Sequence, residues 1–287
     1  MKDFSIFCTP VSEQNQKEYT ISPKTIGSKV IFHKGEEIEK GIKVAFLGVK
    51  ESRGSALLSV KDSPDAVRKQ LYKLYLGVDV PCIDIGNIEA GESPSDTLFA
   101  LTEVLSELIR KDIIPVVIGG SQELTMGMYK AFEKLELIIN LTTVDRKIDF
   151  QSINETTSDS YLKDILLAKP NYLFNYANLG SQSYYLDPDN VTMMHKLFFD
   201  SKRLGELQAN IELAEPILRN SNIVSIDLNS IRQSEVPGTS FASPNGFFGN
   251  EACQLARYAG ISDKLNVIGF FEMTPEFDIQ HQTAQLV

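Results

Sequence analysis

A mainly parallel α/β sheet covered by helices on both faces is the fold class this sequence predicts, and three observations predict it. Short apolar runs recur along the chain at Val44–Gly48, Val80–Ile85, Ile113–Ile118, Leu137–Val144, Ile223–Ile226 and Asn266–Phe271. Strands buried on both faces read as such continuous runs. Segments with helical apolar spacing separate them, and several runs end in Gly, Asn or Asp, as tight strand-to-helix turns require.

The elements follow in order. Residues 1–41 are polar and irregular and read as an arm or an added strand. After Val44–Gly48 comes a loop rich in Ser and Gly, Glu51–Ser55, then a helix from Pro64 to about Tyr75 with Ser63 as its cap. Ser93-Pro94 opens an amphipathic helix with Leu98, Leu101, Val104, Leu105 and Leu108 on one face. The run Ile113–Ile118 ends in Gly119-Gly120, and a helix follows through about Lys134. A strand is expected near Tyr172–Tyr176, a helix over about Gly205–Leu218, and another over Glu251–Tyr258. No linker, repeat or low-complexity tract divides the chain, so residues 1–287 are expected to form one domain.

Composition excludes several classes. With 287 residues, 43% hydrophobic, the chain can bury a large core. A net charge of −10, no Trp and no basic stripe argue against nucleic acid. No run approaches the roughly 18–20 apolar residues of a membrane span, and no signal-peptide pattern opens the chain. Cys8, Cys82 and Cys253 are far apart and odd in number, which points to a reducing, cytoplasmic setting. His33, His195 and His281 are too scattered for a local zinc site, and His195 and His281 read as surface or structural residues.

Four segments at the carboxyl ends of strands carry possible chemistry, the edge where parallel sheets bind ligands. The most telling is Asp145-Arg146-Lys147-Ile148-Asp149, where alternation would aim Asp145, Lys147 and Asp149 the same way. Gly119-Gly120-Ser121-Gln122-Glu123-Leu124-Thr125 permits close backbone approach, or is a plain turn with Ser121 as helix cap. Ser225-Ile226-Asp227-Leu228-Asn229 repeats the pairing of an acid with a polar group, and Glu272 closes the last strand. One acidic strand end is ordinary; several suggest a shared site.

The order and wording of these segments resemble the ureohydrolases (arginase, agmatinase and formimidoylglutamase) from about Lys43 onward. The Gly-Gly turn is similar to the family's GGDHS, the Asp145 segment to its DAHxD, and the Asp227 segment to its SxDxD. Gln282-Thr283-Ala284-Gln285-Leu286 is similar to the start of the family's last helix. The resemblance implies a three-layer α/β/α fold around a mainly parallel sheet of about eight strands, often built into homo-oligomers. It also implies a reaction in which two manganese ions, bridged by hydroxide, act on a guanidinium or formimino carbon.

Carried across, Asp145, Asp149 and Asp227 match carboxylate ligands, and Glu272 matches an acid that holds the substrate's cationic end. Gln122 and Lys147 stand where the two ligand histidines would be, and Asn229 replaces an aspartate. A lysine ammonium ligates metal only after losing its proton, and neighbouring carboxylates oppose that loss. Lys147 is therefore expected to replace one metal, leaving none or a single Mn, Mg or Ca on Asp145, Asp149, Asp227 and Gln122. Arg232 either reaches a ligand carboxylate or pairs with Glu235. The expected function is a non-catalytic homologue that binds a partner or a small ligand with a cationic or amidine group. The alternative is an active C–N hydrolase of formimidoylglutamate or another amidine, with one metal or an unusual pair.

Overall fold

Residues 6–20, 22–75, 77, 80–151, 156–241 and 243–287 are described by a computed structural model. Its nine strands are β1 (Ile31–Phe32), β2 (Val44–Val49), β3 (Cys82–Ile88), β4 (Ile114–Gly119), β5 (Ile139–Val144), β6 (Leu173–Ser181), β7 (Asp200–Arg203), β8 (Ile223–Asp227) and β9 (Val267–Phe271). They form one sheet in the order β1-β3-β2-β4-β9-β8-β5-β6-β7, every pairing parallel. Nine strands among the described residues agree with the sheet of about eight expected. Part of the N-terminal arm supplies the edge strand β1, which pairs with β3. Residues 1–5 and 21 of that arm lie outside the described residues.

The core follows from alternation along buried strands. Val117, Ile223 and Val267 point into one apolar layer, with Leu101, Leu105 and Met128 of the helices Pro94–Arg110 and Leu124–Leu135. Their successors Ile118, Val224 and Ile268 point to the opposite layer, with Leu207, Leu218 and Leu255. The helix after Ser93 begins as expected: Ser93 and Asp96 form a reciprocal capping box. Among the described residues no helix is long and apolar enough to cross a membrane.

Three local expectations are corrected. Ser63 is the first helical residue rather than the cap of Ser63–Leu71, and its hydroxyl donates to the Gly119 carbonyl instead. The helix expected over Gly205–Leu218 is broken into Leu204–Ala209, a 3-10 turn at Ile211–Ala214, and Glu215–Arg219. Asn210 causes the break: its backbone is extended and its side chain caps the Glu212 N–H at 3.1 Å. Ser121 does not cap the helix after β4, which starts at Leu124 behind Glu123.

Beneath β2 and β3, Arg68 is fully buried and holds Asp84 through Nε at 2.8 Å and Nη2 at 2.9 Å, while Tyr72 donates to the same carboxylate. Arg68 also donates to the Gly86 carbonyl and to Asn87 Oδ1. A buried pair with every group satisfied costs little to keep but much to break. Arg68→Met, which leaves Asp84 without its main partner, should lower the unfolding free energy by about 3–5 kcal/mol in a denaturant titration. A loss under about 1 kcal/mol would show that the pair holds nothing together.

Candidate functional site

Four strand ends meet in the middle of the sheet, because β4, β9, β8 and β5 are consecutive neighbours although far apart in sequence. Val144 pairs with Ile226, so the next residues, Asp145 and Asp227, leave side by side. Asp227 pairs with Phe271, which sets Glu272 one step beyond the same level. Gln122 arrives from the turn after β4. That turn exists only with glycine at its second position: a Cβ on Gly120 would lie 1.6 Å from the Glu51 carbonyl oxygen. These four side chains and that of Asp149 are buried.

Residues 145–149 reach this point differently from the extended segment expected. β5 stops at Val144, and the Lys147 N–H bonds to Asp145 Oδ1 at 3.1 Å, closing an Asx turn. Lys147 then extends so that Nζ lies 3.4 Å from Asp149 Oδ1 and bonds to Asp159. Burial pulls the Lys147 pKa down, but Asp149, Asp145 and Asp227 more than offset it, and the net direction is upward. Lys147 is held as a cation. Asp149 is pushed well above the usual carboxylate range by burial, then by Asp145. Asp227 is raised likewise, by burial first, then Asp145 and Glu272.

Glu272 takes the left-handed conformation (φ 67°), uncommon outside glycine, and its N–H is fixed to the Gly120 carbonyl at 2.9 Å. Its carboxylate meets four donors: the Gln122 N–H at 2.9 Å, Ser158 Oγ at 2.6 Å, Ser55 Oγ at 2.6 Å and Ser240 Oγ at 3.2 Å. Any ligand cation reaching Glu272 must share it with these hydroxyls. Ser158 Oγ also lies 3.0 Å from Glu123 Oε2 and accepts the Gln122 N–H at 3.0 Å. One hydroxyl proton serves only one carboxylate, so a protonated Glu123 donates to Ser158 while Ser158 donates to Glu272. Burial, seconded by the Glu272 charge, pushes the Glu123 carboxyl up to about 7, against the hydrogen bond from Ser121.

The other expected residues are placed as follows. Asn229 Oδ1 accepts the Phe241 N–H at 2.9 Å, and the Asn229 N–H donates to Asp227 Oδ1 at 2.7 Å, so this residue ties the following loop to the acid. Arg232 lies over the Phe248 ring and donates to the Gly246 carbonyl at 3.0 Å. His195 and His281 are exposed. Arg53, in the Glu51–Ser55 loop, pairs with Glu51; burial acts upward on that acid, but the Arg53 contacts hold it at about 2. Sequence reading missed Glu123, Ser158, Ser55 and Asp159. The first sat inside a segment already singled out, next to Gln122, whereas Ser158 and Asp159 lie in a loop with no motif to mark them.

The sequence profile of the arginase family matches residues 42–287. The chain belongs to the arginase family. The formimidoylglutamase of Streptococcus gordonii is 25% identical over 274 residues, covering 86% of this chain and 82% of that protein. The formimidoylglutamase of Staphylococcus aureus is 24% identical over 258 residues, covering 85% and 83%. Among solved structures, Trypanosoma cruzi formiminoglutamase with Mn2+ superposes with a TM-score of 0.81 at 17% identity, over 91% of this chain and 94% of that one. The Bacillus subtilis formimidoylglutamase gives 0.79 at 16% identity, over 90% and 87%. At such identities the superpositions establish an arginase-family fold, the three-layer architecture expected from the motifs.

Glu123 makes stability depend on pH. Its pKa in the folded chain lies above the ordinary glutamate value of 4.5, so the contribution is complete below that value and is lost as pH rises through about 7. Between pH 5 and pH 8 the native protein should lose up to about 3 kcal/mol more stability than Glu123→Gln, which keeps a donor for Ser158 without titrating. Parallel pH profiles from denaturant titrations would contradict a protonated Glu123.

Proposed function

We propose that this arginase-family chain binds a small ligand with a cationic or amidine group and does not carry out two-metal hydrolysis. The observation that carries the reading is Lys147 Nζ lying 3.4 Å from Asp149 Oδ1 and raised in pKa by the acids around it. A protonated amine there supplies positive charge that the family resemblance assigns to a second manganese, and it donates no lone pair to any metal. Asn229, in place of an acid, leaves the centre one negative charge poorer, consistent with one cation fewer.

The donor chemistry does fit a single hard ion. Asp145 Oδ2, Asp149 Oδ1 and both polar atoms of the Gln122 side chain are buried without a hydrogen-bond partner. Asp145, Asp149, Asp227 and the Gln122 Oε1 make an all-oxygen set of the kind that suits Mg, Ca or Mn. When bound, such an ion supplies Lewis-acid polarisation. The oxygens without a hydrogen-bond partner also favour a second reading, a one-metal hydrolase of formimidoylglutamate, the substrate class named by the curated relatives.

The two readings separate in one assay. With saturating Mn2+, turnover of N-formimidoyl-L-glutamate should be indistinguishable from that of Asp227→Asn. A rate that Asp227→Asn lowers by about a hundredfold or more would overturn the non-catalytic reading and establish the hydrolase.

A further inference from the structure

Arg146, between Asp145 and Lys147, is used by nothing described so far. Its side chain is 3% exposed, and its guanidinium carbon lies 4.8 Å from the Tyr185 ring centroid and 4.2 Å from that of Phe241. Nε and Nη1 are buried and have no hydrogen-bond partner, and no ion pair joins the guanidinium to any described residue. The rings come from separate loops beyond the sheet's carboxyl edge, Tyr185 after β6 and Phe241 after β8. Phe241 is 53% exposed and forms the outer cover of the clamp.

A purely structural role explains this poorly. Two cation–π contacts contribute about 1–2 kcal/mol each when desolvated, while burying a guanidinium with empty donors costs several kcal/mol. An apolar side chain between the same rings would avoid that cost. Unfilled charged donors held rigid in an aromatic slot are what a binding site for a planar anion requires. Asp145, which precedes Arg146, and Asp227, whose carboxyl feels the Arg146 charge, disfavour a dianion such as phosphate and leave a singly charged carboxylate as the fitting class.

We infer that Arg146, clamped by Tyr185 and Phe241, anchors the carboxylate of a ligand whose cationic end faces the acids Asp227 and Glu272. This deepens the ligand-binding reading and rests on it for the cationic end only; the anion site stands on Arg146 itself. It makes the expected ligand zwitterionic, and it makes Arg146 the residue that selects against decarboxylated analogues.

Two titrations test it. By calorimetry, L-arginine should bind about tenfold or more tightly than agmatine, which lacks only the carboxylate, and Arg146→Gln should bring the two to parity while Arg146→Lys restores part of the gap. Equal binding of both compounds to the native chain would overturn the carboxylate anchor and leave the cation-binding reading intact. Binding of neither would count against the cation-binding reading, and the second titration would then decide the anchor alone. In protein labelled with 15N-arginine, propionate should shift the Arg146 Nε–H resonance saturably, the resonance being assigned by its absence in Arg146→Lys. A resonance that propionate does not move would overturn the inference.

Discussion

The centre of this molecule is governed by carboxylate crowding. Parallel pairing sets Asp145 beside Asp227, with Glu272 one step beyond and Asp149 brought in by an Asx turn, all removed from water. Like charges in a low-dielectric setting disfavour joint ionisation, and burial acts in the same direction. The raised pKa values of Asp149 and Asp227 are the measure of that conflict. It can be relieved by protons, by a bound cation, or by cations of the chain itself. Lys147 supplies such a cation beside Asp149, and below about pH 7 a protonated Glu123 keeps one more negative charge out of the cluster.

The hydroxyls around the acids fit the same logic. Ser158, Ser55 and Ser240 saturate Glu272 from three separate loops, so its charge is stabilised without a counter-ion. The same bonds stitch the loops after β2, β5 and β8 together over the sheet. A residue held at positive φ with both carboxylate oxygens occupied is pre-organised, at an expense in backbone strain that binding function commonly explains. The charge balance and the loop architecture are therefore one structure.

Much of this was legible in the chain. The strands were visible because burial on both faces demands unbroken apolar runs, and the acidic strand ends because Asp145, Asp227 and Glu272 each follow such a run directly. The convergence of those ends was legible only as a suspicion. It depends on strand order, and β8 and β9 inserting between β4 and β5 is a tertiary fact that no local pattern encodes. Helix punctuation was misread where side chains had other partners: Ser63 bonds to Gly119 rather than capping, and Asn210 caps within what looked like one helix. Asp159, the second acid on Lys147, lies in a motif-free loop. Arg146 was in plain view, but its meaning comes from two rings contributed by distant loops.

The measurement that bears most directly on Lys147 as the resident cation is anomalous diffraction from crystals soaked in excess Mn2+. At most one manganese peak, on the oxygens of Asp145, Asp149, Asp227 and Gln122, with Lys147 Nζ still against Asp149, is the predicted result. Two peaks sharing Asp149 and Asp227, with the lysine swung away, would contradict it.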